Sequence, residues 1–160
     1  MIIVIEGPRG VGKTAIANAL VKRLTDLDVP ARYVKFQRGG NPVYDMLTSI
    51  EEMDATPSTV FVIDRFHLTE WVMRTFDKTI PEEELYVGLS LVDQALGSDG
   101  AAVVYVQATA FARELRIARR KDGRGIEMPS KISDHLWELA CKRFWIDYMF
   151  DNELDGDVEK

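Results

Sequence analysis

The segment that most constrains this chain is Ile2 to Thr14, "IIVIEGPRGVGKT", where a short hydrophobic run passes directly into a glycine loop ending in lysine and threonine. Ile2 to Glu6, stopping at Gly7, has the pattern of a strand buried on both faces. From Lys13 the apolar period changes: Ile16, Leu20, Leu24 and Leu27 fall on one helical face, and Pro30 closes the segment. The chain must therefore turn from strand to helix within Gly7-x-x-x-x-Gly12-Lys13-Thr14. Glycines let successive backbone N–H groups point into one concavity, and the positive end of the following helix adds to it, so the loop suits a polyphosphate. Lys13 can reach β- and γ-phosphates, and the Thr14 hydroxyl can ligate Mg²⁺. An ordinary glycine-rich turn is the competing reading; the full spacing between a strand and a helix weighs against it. Gly7, Pro8, Arg9, Gly10, Val11, Gly12, Lys13 and Thr14 are thus the candidate residues for binding ATP.

The rest of the chain repeats the strand–helix alternation. "ARYVKF" reads as a second strand, followed by the turn-rich "QRGGNP" and a short helix over Val43 to Met53. Ser58 to Asp64, "STVFVID", is a third buried strand. Beyond Trp71 and Phe76, Thr79 and Glu82 have the spacing of a capping box, and Leu85, Leu89, Val92 and Leu96 form an apolar stripe. "GSDG" ends that helix, and "AAVVYVQA" is a fourth strand. A helix, an arginine-rich loop containing "KDGRG", and a long helix from about Ser130 to Phe150 complete the pattern. Such alternation predicts an α/β fold of three layers, α/β/α, with a parallel sheet of four or five strands, in a single domain over residues 1–160.

Composition narrows the functional classes. With 46% apolar and 29% charged residues, the chain is an ordinary globular sequence. Its apolar runs are strand-sized, so no membrane partner is expected, and no secretory signal pattern opens it. Cys141 is the single cysteine, which rules out an intramolecular disulfide and fits a reducing cytoplasm; it reads as a core filler. A net charge of −6 argues against a chain-wide nucleic-acid surface and leaves room for a local basic cleft. Acidic residues crowd the tail at about 151–160, which reads as solvated, whereas Arg113, Arg116, Arg119, Arg120 and Arg124 cluster in a segment read as a lid at about 113–127.

A metal-bound phosphate chain needs a second anchor, and Asp64, at the end of the third strand, is placed to bind Mg²⁺ or accept a proton. Capping of the next helix is its bland alternative. Among loop-bearing classes, GTPases need an Asn-Lys-x-Asp element that this sequence lacks. Force-transmitting ATPases need more chain. A compact kinase remains. Planar guanidinium groups suit the oxygens of a transferring phosphoryl group, and an arginine loop that closes would exclude water. A solvated helix face is the alternative for these arginines.

The strings "IEGPRGVGKT", "DRFHLTEW" and "ATAFARELRIARRKDGRGIE" resemble thymidylate kinases and the related deoxynucleoside kinases. That resemblance implies that Arg65 holds the acceptor phosphate or the transferring group, and that Asp64 assists metal and acceptor. It also implies lid roles for Arg116 and Arg120, which match the family's arginine spacing, although Leu115 adjoins Arg116 instead of lying two residues before it. Arg119 and Arg124 are close alternatives. The acceptor side departs from the family. Gln37-Arg38-Gly39-Gly40 stands where relatives carry an acid before Pro-Gly-Gly, and Gln37 cannot abstract a proton. Arg38 suits an acceptor or backbone phosphate. Phe36, Phe66, His67 and Trp71 are candidates to stack on a base, with core packing as the alternative for each, and a structural role for His67. Only about two dozen residues separate strands two and three, room for one helix, so a shallow, open acceptor pocket is expected. The sequence also ends soon after its long helix, where relatives continue with another strand and helix beside the adenine.

The expectation is an ATP- and Mg²⁺-dependent kinase acting on a nucleoside or nucleoside monophosphate. Its rivals are a kinase for 5-hydroxymethyluracil within DNA, as in phage enzymes of this kind, and a regulatory nucleotide-binding module with weak hydrolysis. The oligomeric state stays open, a homodimer included.

Overall fold

The computed structural model describes residues 1–37, 39–119 and 128–153. Strand β1 (Ile2–Glu6) lies at the centre of a five-stranded sheet. It pairs with β3 (Val60–Asp64) on one side and β4 (Ala102–Gln107) on the other; β2 (Ala31–Lys35) and β5 (Tyr148–Asp151) form the edges, and every pairing is parallel. Helices α1 (Lys13–Asp26), α2 (Pro42–Asp54), α3 (His67–Asp77), α4 (Glu82–Ser98), α5 (Ala110–Ala118) and α6 (Ser130–Arg143) connect them.

Alternation along each strand sorts the core into two layers. Ile5, Val62 and Val106 face α1 through Ile16, Leu20 and Leu24. Ile2, Val4, Phe61, Ile63, Val103 and Tyr105 face a larger layer built from α2, α3, α4 and α6. The expected stripe Leu85, Leu89, Val92 and Leu96 is buried along α4. Burial of such side chains supplies about 1.5–3 kcal/mol each, so this stripe fixes α4 on the sheet. In the order β2-β3-β1-β4-β5, β1 connects onward to β2 at one edge and its neighbour β4 to β5 at the other, so the winding reverses beside β1. Its carboxyl end is the switch point, where α/β sheets open a crevice for ligands. Among the described residues no helix is long and apolar enough to cross a membrane.

Several expectations need correction. The last helix stops at Arg143, and residues 148–151 form the fifth strand. Phe144 turns to extended backbone, the Asp147 N–H donates to the Val103 carbonyl (2.9 Å), and the Asp147 carboxylate accepts the Val103 N–H (2.7 Å). Those bonds feed the aromatic run Tyr148–Phe150 into the sheet, where aromatic residues are favoured. A strand thus follows the last helix, and Asp151 to Glu153 belong to the fold instead of a solvated tail. Thr79 does not cap α4: its N–H donates back to Arg74, completing the end of α3 after left-handed Lys78. Pro81 precedes α4, and Glu82, Glu83 and Glu84 offset its N-terminal charge. Leu27 caps α1 and is exposed, so it lies outside the buried face. The central part of the expected lid, 120–127, falls outside the described residues, as does the tail 154–160.

Candidate functional site

The loop after β1 is shaped by close backbone contacts. Gly7 has φ +142°, and a Cβ there would lie 2.2 Å from the Val106 carbonyl oxygen, so no other residue fits. Gly12 (φ +91°) precedes α1, which has no side-chain cap. The first amides of α1 are therefore available to an anion. Lys13 is buried, and its ammonium spans the loop, donating to the Gly7 and Pro8 carbonyls at 2.6 Å each.

Thr14, one residue on, reaches across to β3. Its hydroxyl donates to Asp64 Oδ2 (2.5 Å), and the hydroxyl of Tyr33, in the middle of β2, donates to the same oxygen (2.9 Å). Asp64 is fully buried, yet its Oδ1 has no partner among the described residues. Burial, then the bond to Asp64, raises the Tyr33 phenol above its ordinary pKa, so it stays a donor to the carboxylate at neutral pH. An orphaned carboxylate oxygen beside a threonine hydroxyl at the mouth of a phosphate loop fits Mg²⁺. That ion takes few protein ligands and fills its shell with waters and phosphate oxygens. Among the described residues no cluster of three or more His, Cys, Asp or Glu is present.

Arg65 follows in a left-handed conformation (φ +70°), its N–H donating to the Ile5 carbonyl (3.0 Å). Its Nε is buried without a partner among the described residues. A side chain held in this region costs about 1–3 kcal/mol and persists where surrounding structure over-determines it. The determinant is Glu6, which sequence reasoning passed over. Its Oε1 accepts the N–H groups of Phe66 (2.9 Å), Leu68 (2.9 Å) and Thr69 (3.3 Å), and its Oε2 accepts the Thr69 hydroxyl (2.5 Å). A fully buried carboxylate in β1 therefore caps α3 from a neighbouring strand, and Asp64 does not. The available signal was an acid ending an otherwise apolar strand, since a buried charge demands such partners.

Phe66, expected against the substrate, is 1% exposed and meets Phe36 edge-to-face at 5.2 Å between ring centres. Trp71 and His67 are likewise buried, His67 Nε2 lying 3.1 Å from Asp93 Oδ1. Phe66, His67 and Trp71 are thus core residues that offer no stacking face, whereas Phe36 is only partly buried. Gln37 is exposed beside it; Arg38 lies outside the described residues. Arg74 pairs with buried Glu70 and donates to the Gly39 carbonyl (2.9 Å), tying α3 to the turn after β2.

Of the lid arginines, Arg116 is described, and it is directed behind the loop: its guanidinium donates to the Gly10 and Val11 carbonyls and to those of Asn152 and Glu153. Arg113 is buried in an ion pair with Asp134 (2.6 Å). Arg119 ends α5, exposed; Arg120 and Arg124 lie outside the described residues. Cys141, beside a cavity of about 380 Å³ between α5 and α6, has its thiol pushed up to about 11 by burial, in keeping with an inert packing role.

Neither a protein-family model nor a curated protein sequence matches the chain. Solved structures do. The YorR protein of Bacillus subtilis, in complex with phosphorylated GDP, aligns over 95% of this chain and 86% of its own at a TM-score of 0.60 and 18% identity. Deoxyadenosine kinase from M. mycoides with bound dCTP aligns over 99% and 94%, with a TM-score of 0.54 and 18% identity. Polyphosphate kinase 2 from Arthrobacter aurescens gives 0.67 at 15% identity; the alignment covers 95% of this chain but 59% of that one. The chain thus has the fold of the P-loop nucleotide kinases, with the five-stranded parallel sheet described above.

Proposed function

We propose that this protein is a P-loop phosphotransferase that moves the γ-phosphoryl group of ATP to a nucleoside or nucleoside monophosphate. The convergence of Lys13, Thr14 and Asp64 at the carboxyl end of β1 carries this reading. The kinases among its structural neighbours, at the level of fold, support it.

In this reading the loop amides and Lys13 receive the phosphate chain, and Lys13 exchanges its carbonyl partners for phosphate oxygens. Mg²⁺, held by Thr14 and Asp64, would neutralise charge on the β- and γ-phosphates. Tyr33 holds Asp64 Oδ2, leaving Oδ1 for the metal or its water. Arg65, fixed by its turn, presents its guanidinium to the acceptor side. Proton management follows from which acids are free. Glu6 is fully engaged by four hydrogen bonds and Gln37 is an amide, so Asp64 takes the proton of a hydroxyl acceptor. A monophosphate acceptor is already anionic and needs no base.

One observation favours a bulkier acceptor, such as the hydroxymethyl group of 5-hydroxymethyluracil in DNA. The single helix between β2 and β3 lies back against α4, where a Cβ on Gly88 would sit 2.7 Å from Val43. Packed there, α2 is the one helix that the described residues between β2 and β3 supply to cover the acceptor side. ATP labelled at the γ-position, offered with free nucleosides, nucleoside monophosphates and hydroxymethyluracil-containing DNA, tests both. Label should enter one acceptor class and be lost in Lys13→Ala. Transfer by a folded Lys13→Ala protein, or label recovered only as inorganic phosphate, would refute the kinase reading.

A further inference from the structure

A phosphate loop works through the direction of its amides, and each amide is rigidly opposed to the carbonyl of the same peptide plane. The Gly10 carbonyl shares its plane with the Val11 N–H, and the Val11 carbonyl with the Gly12 N–H. Whatever grips those two carbonyls from behind aims the two N–H groups in front. Here the grip is specific. Asn152 Nδ2 donates to the Val11 carbonyl at 2.7 Å, and Arg116 Nη1 reaches the Gly10 and Val11 carbonyls at 3.3 and 3.4 Å.

The two side chains are themselves held in a closed ring. Arg116 Nη2 donates to the carbonyls of Asn152 (2.7 Å) and Glu153 (3.1 Å). The Asn152 N–H donates to Gln107 at the end of β4 (2.8 Å). The Glu153 carboxylate accepts the N–H (2.9 Å) and hydroxyl (3.0 Å) of Thr109, the residue capping the helix that carries Arg116. A Cβ on Gly12 would lie 2.6 Å from Asn152 Nδ2, so the glycine that opens α1 also admits the asparagine.

We infer that Asn152 and Arg116 are positioning residues which brace the phosphate loop from behind, aiming the Val11 and Gly12 amides at the phosphate chain. This rests on the phosphate-binding reading above and extends it to Asn152, a residue distant in sequence. Donation to a carbonyl polarises its peptide, so the brace strengthens these amides as donors as well as orienting them. The bound group it serves is the phosphate chain itself, whatever base is attached.

The test uses the full chain and two probes, ATP and inorganic tripolyphosphate, with affinities measured by calorimetry for wild type, Asn152→Ala, Arg116→Ala and Arg116→Lys. Losing one such bond should weaken both probes together, about 3- to 10-fold for Asn152→Ala and more for Arg116→Ala, with Arg116→Lys recovering part. The double variant should lose less than the product of the single losses, because the two residues hold one carbonyl. In Asn152→Ala, which removes one side-chain bond, acceptor KM and the melting temperature without ligand should move little, which a merely structural role would not predict. Unchanged affinities in folded Asn152→Ala would overturn the inference, even if Arg116→Ala is impaired, since that pattern means Arg116 touches phosphate directly. Wild type that binds neither probe would overturn the phosphate-binding reading along with it; wild type that binds, with variants equal to it, overturns the brace alone.

Discussion

Replacing Glu6 tests how the two halves of the site are joined. In Glu6→Ala the N–H groups of Phe66 and Leu68, both buried, and that of Thr69, partly buried, lose their acceptor together with the Thr69 hydroxyl. A buried donor left unpaired costs about 1–3 kcal/mol, and relief of the desolvated carboxylate returns part of the sum, so a net loss of about 3–5 kcal/mol is expected. Against a typical total of about 5–15 kcal/mol, that loss brings the protein close to unfolding. Glu6→Gln keeps a carbonyl oxygen for the three amides and exchanges a charged acceptor for a neutral one, for about 1–2 kcal/mol. Urea denaturation of the three proteins, followed by tryptophan fluorescence, reads both numbers, since Trp71 lies on the same helix and is buried. An alanine variant within 1 kcal/mol of wild type, or a glutamine variant as damaged as alanine, would show that the strand-to-helix cap carries no such energy.

The strained turn gives an opposite signature. Arg65→Gly relieves a left-handed side chain, so the variant should melt no lower than wild type while losing phosphoryl transfer; a clear drop in melting temperature would refute the strain argument. Burial disfavours the Cys141 thiolate, so alkylation by iodoacetamide should be about a hundredfold slower at pH 8 than for a free thiol. The rate should go on rising until the pH approaches about 11; a plateau near an ordinary thiol value would contradict the burial.

The parts of this molecule that were legible in its sequence are those whose determinants are local. Gly7 to Thr14 announce a strand–loop–helix junction by spacing alone, and the α4 stripe by period alone. Glu6 was illegible because its partners lie 60 or more residues away, and an acid at a strand end gives no hint of which amides it meets. The run Phe144 to Phe150 was misread because a short aromatic, apolar stretch satisfies a helical and an extended period equally. What decides it is Asp147, whose two bonds to Val103 form only once β4 exists. Arg116 has the spacing expected of a lid arginine, but which way it turns depends on the carbonyls of Asn152 and Glu153, which follow β5.

Glu6 and Gly7 are adjacent, and between them they divide the end of β1. Glu6 sits on the strand face toward α3 and fixes the turn that carries Asp64 and Arg65, whereas Gly7 begins the loop that carries Lys13 and Thr14. The hydrogen bond from Thr14 to Asp64 closes the circuit. Each half is thus referenced to one rigid central strand paired on both sides, and not to a flexible connection. Positional error between donor and acceptor groups then reduces to error in two short turns. That economy explains why a buried charge and a strained arginine coexist at one strand end: both are local costs of holding two junctions in register, and the parallel pairing of β1 with β3 and β4 supplies the stiffness that sustains them.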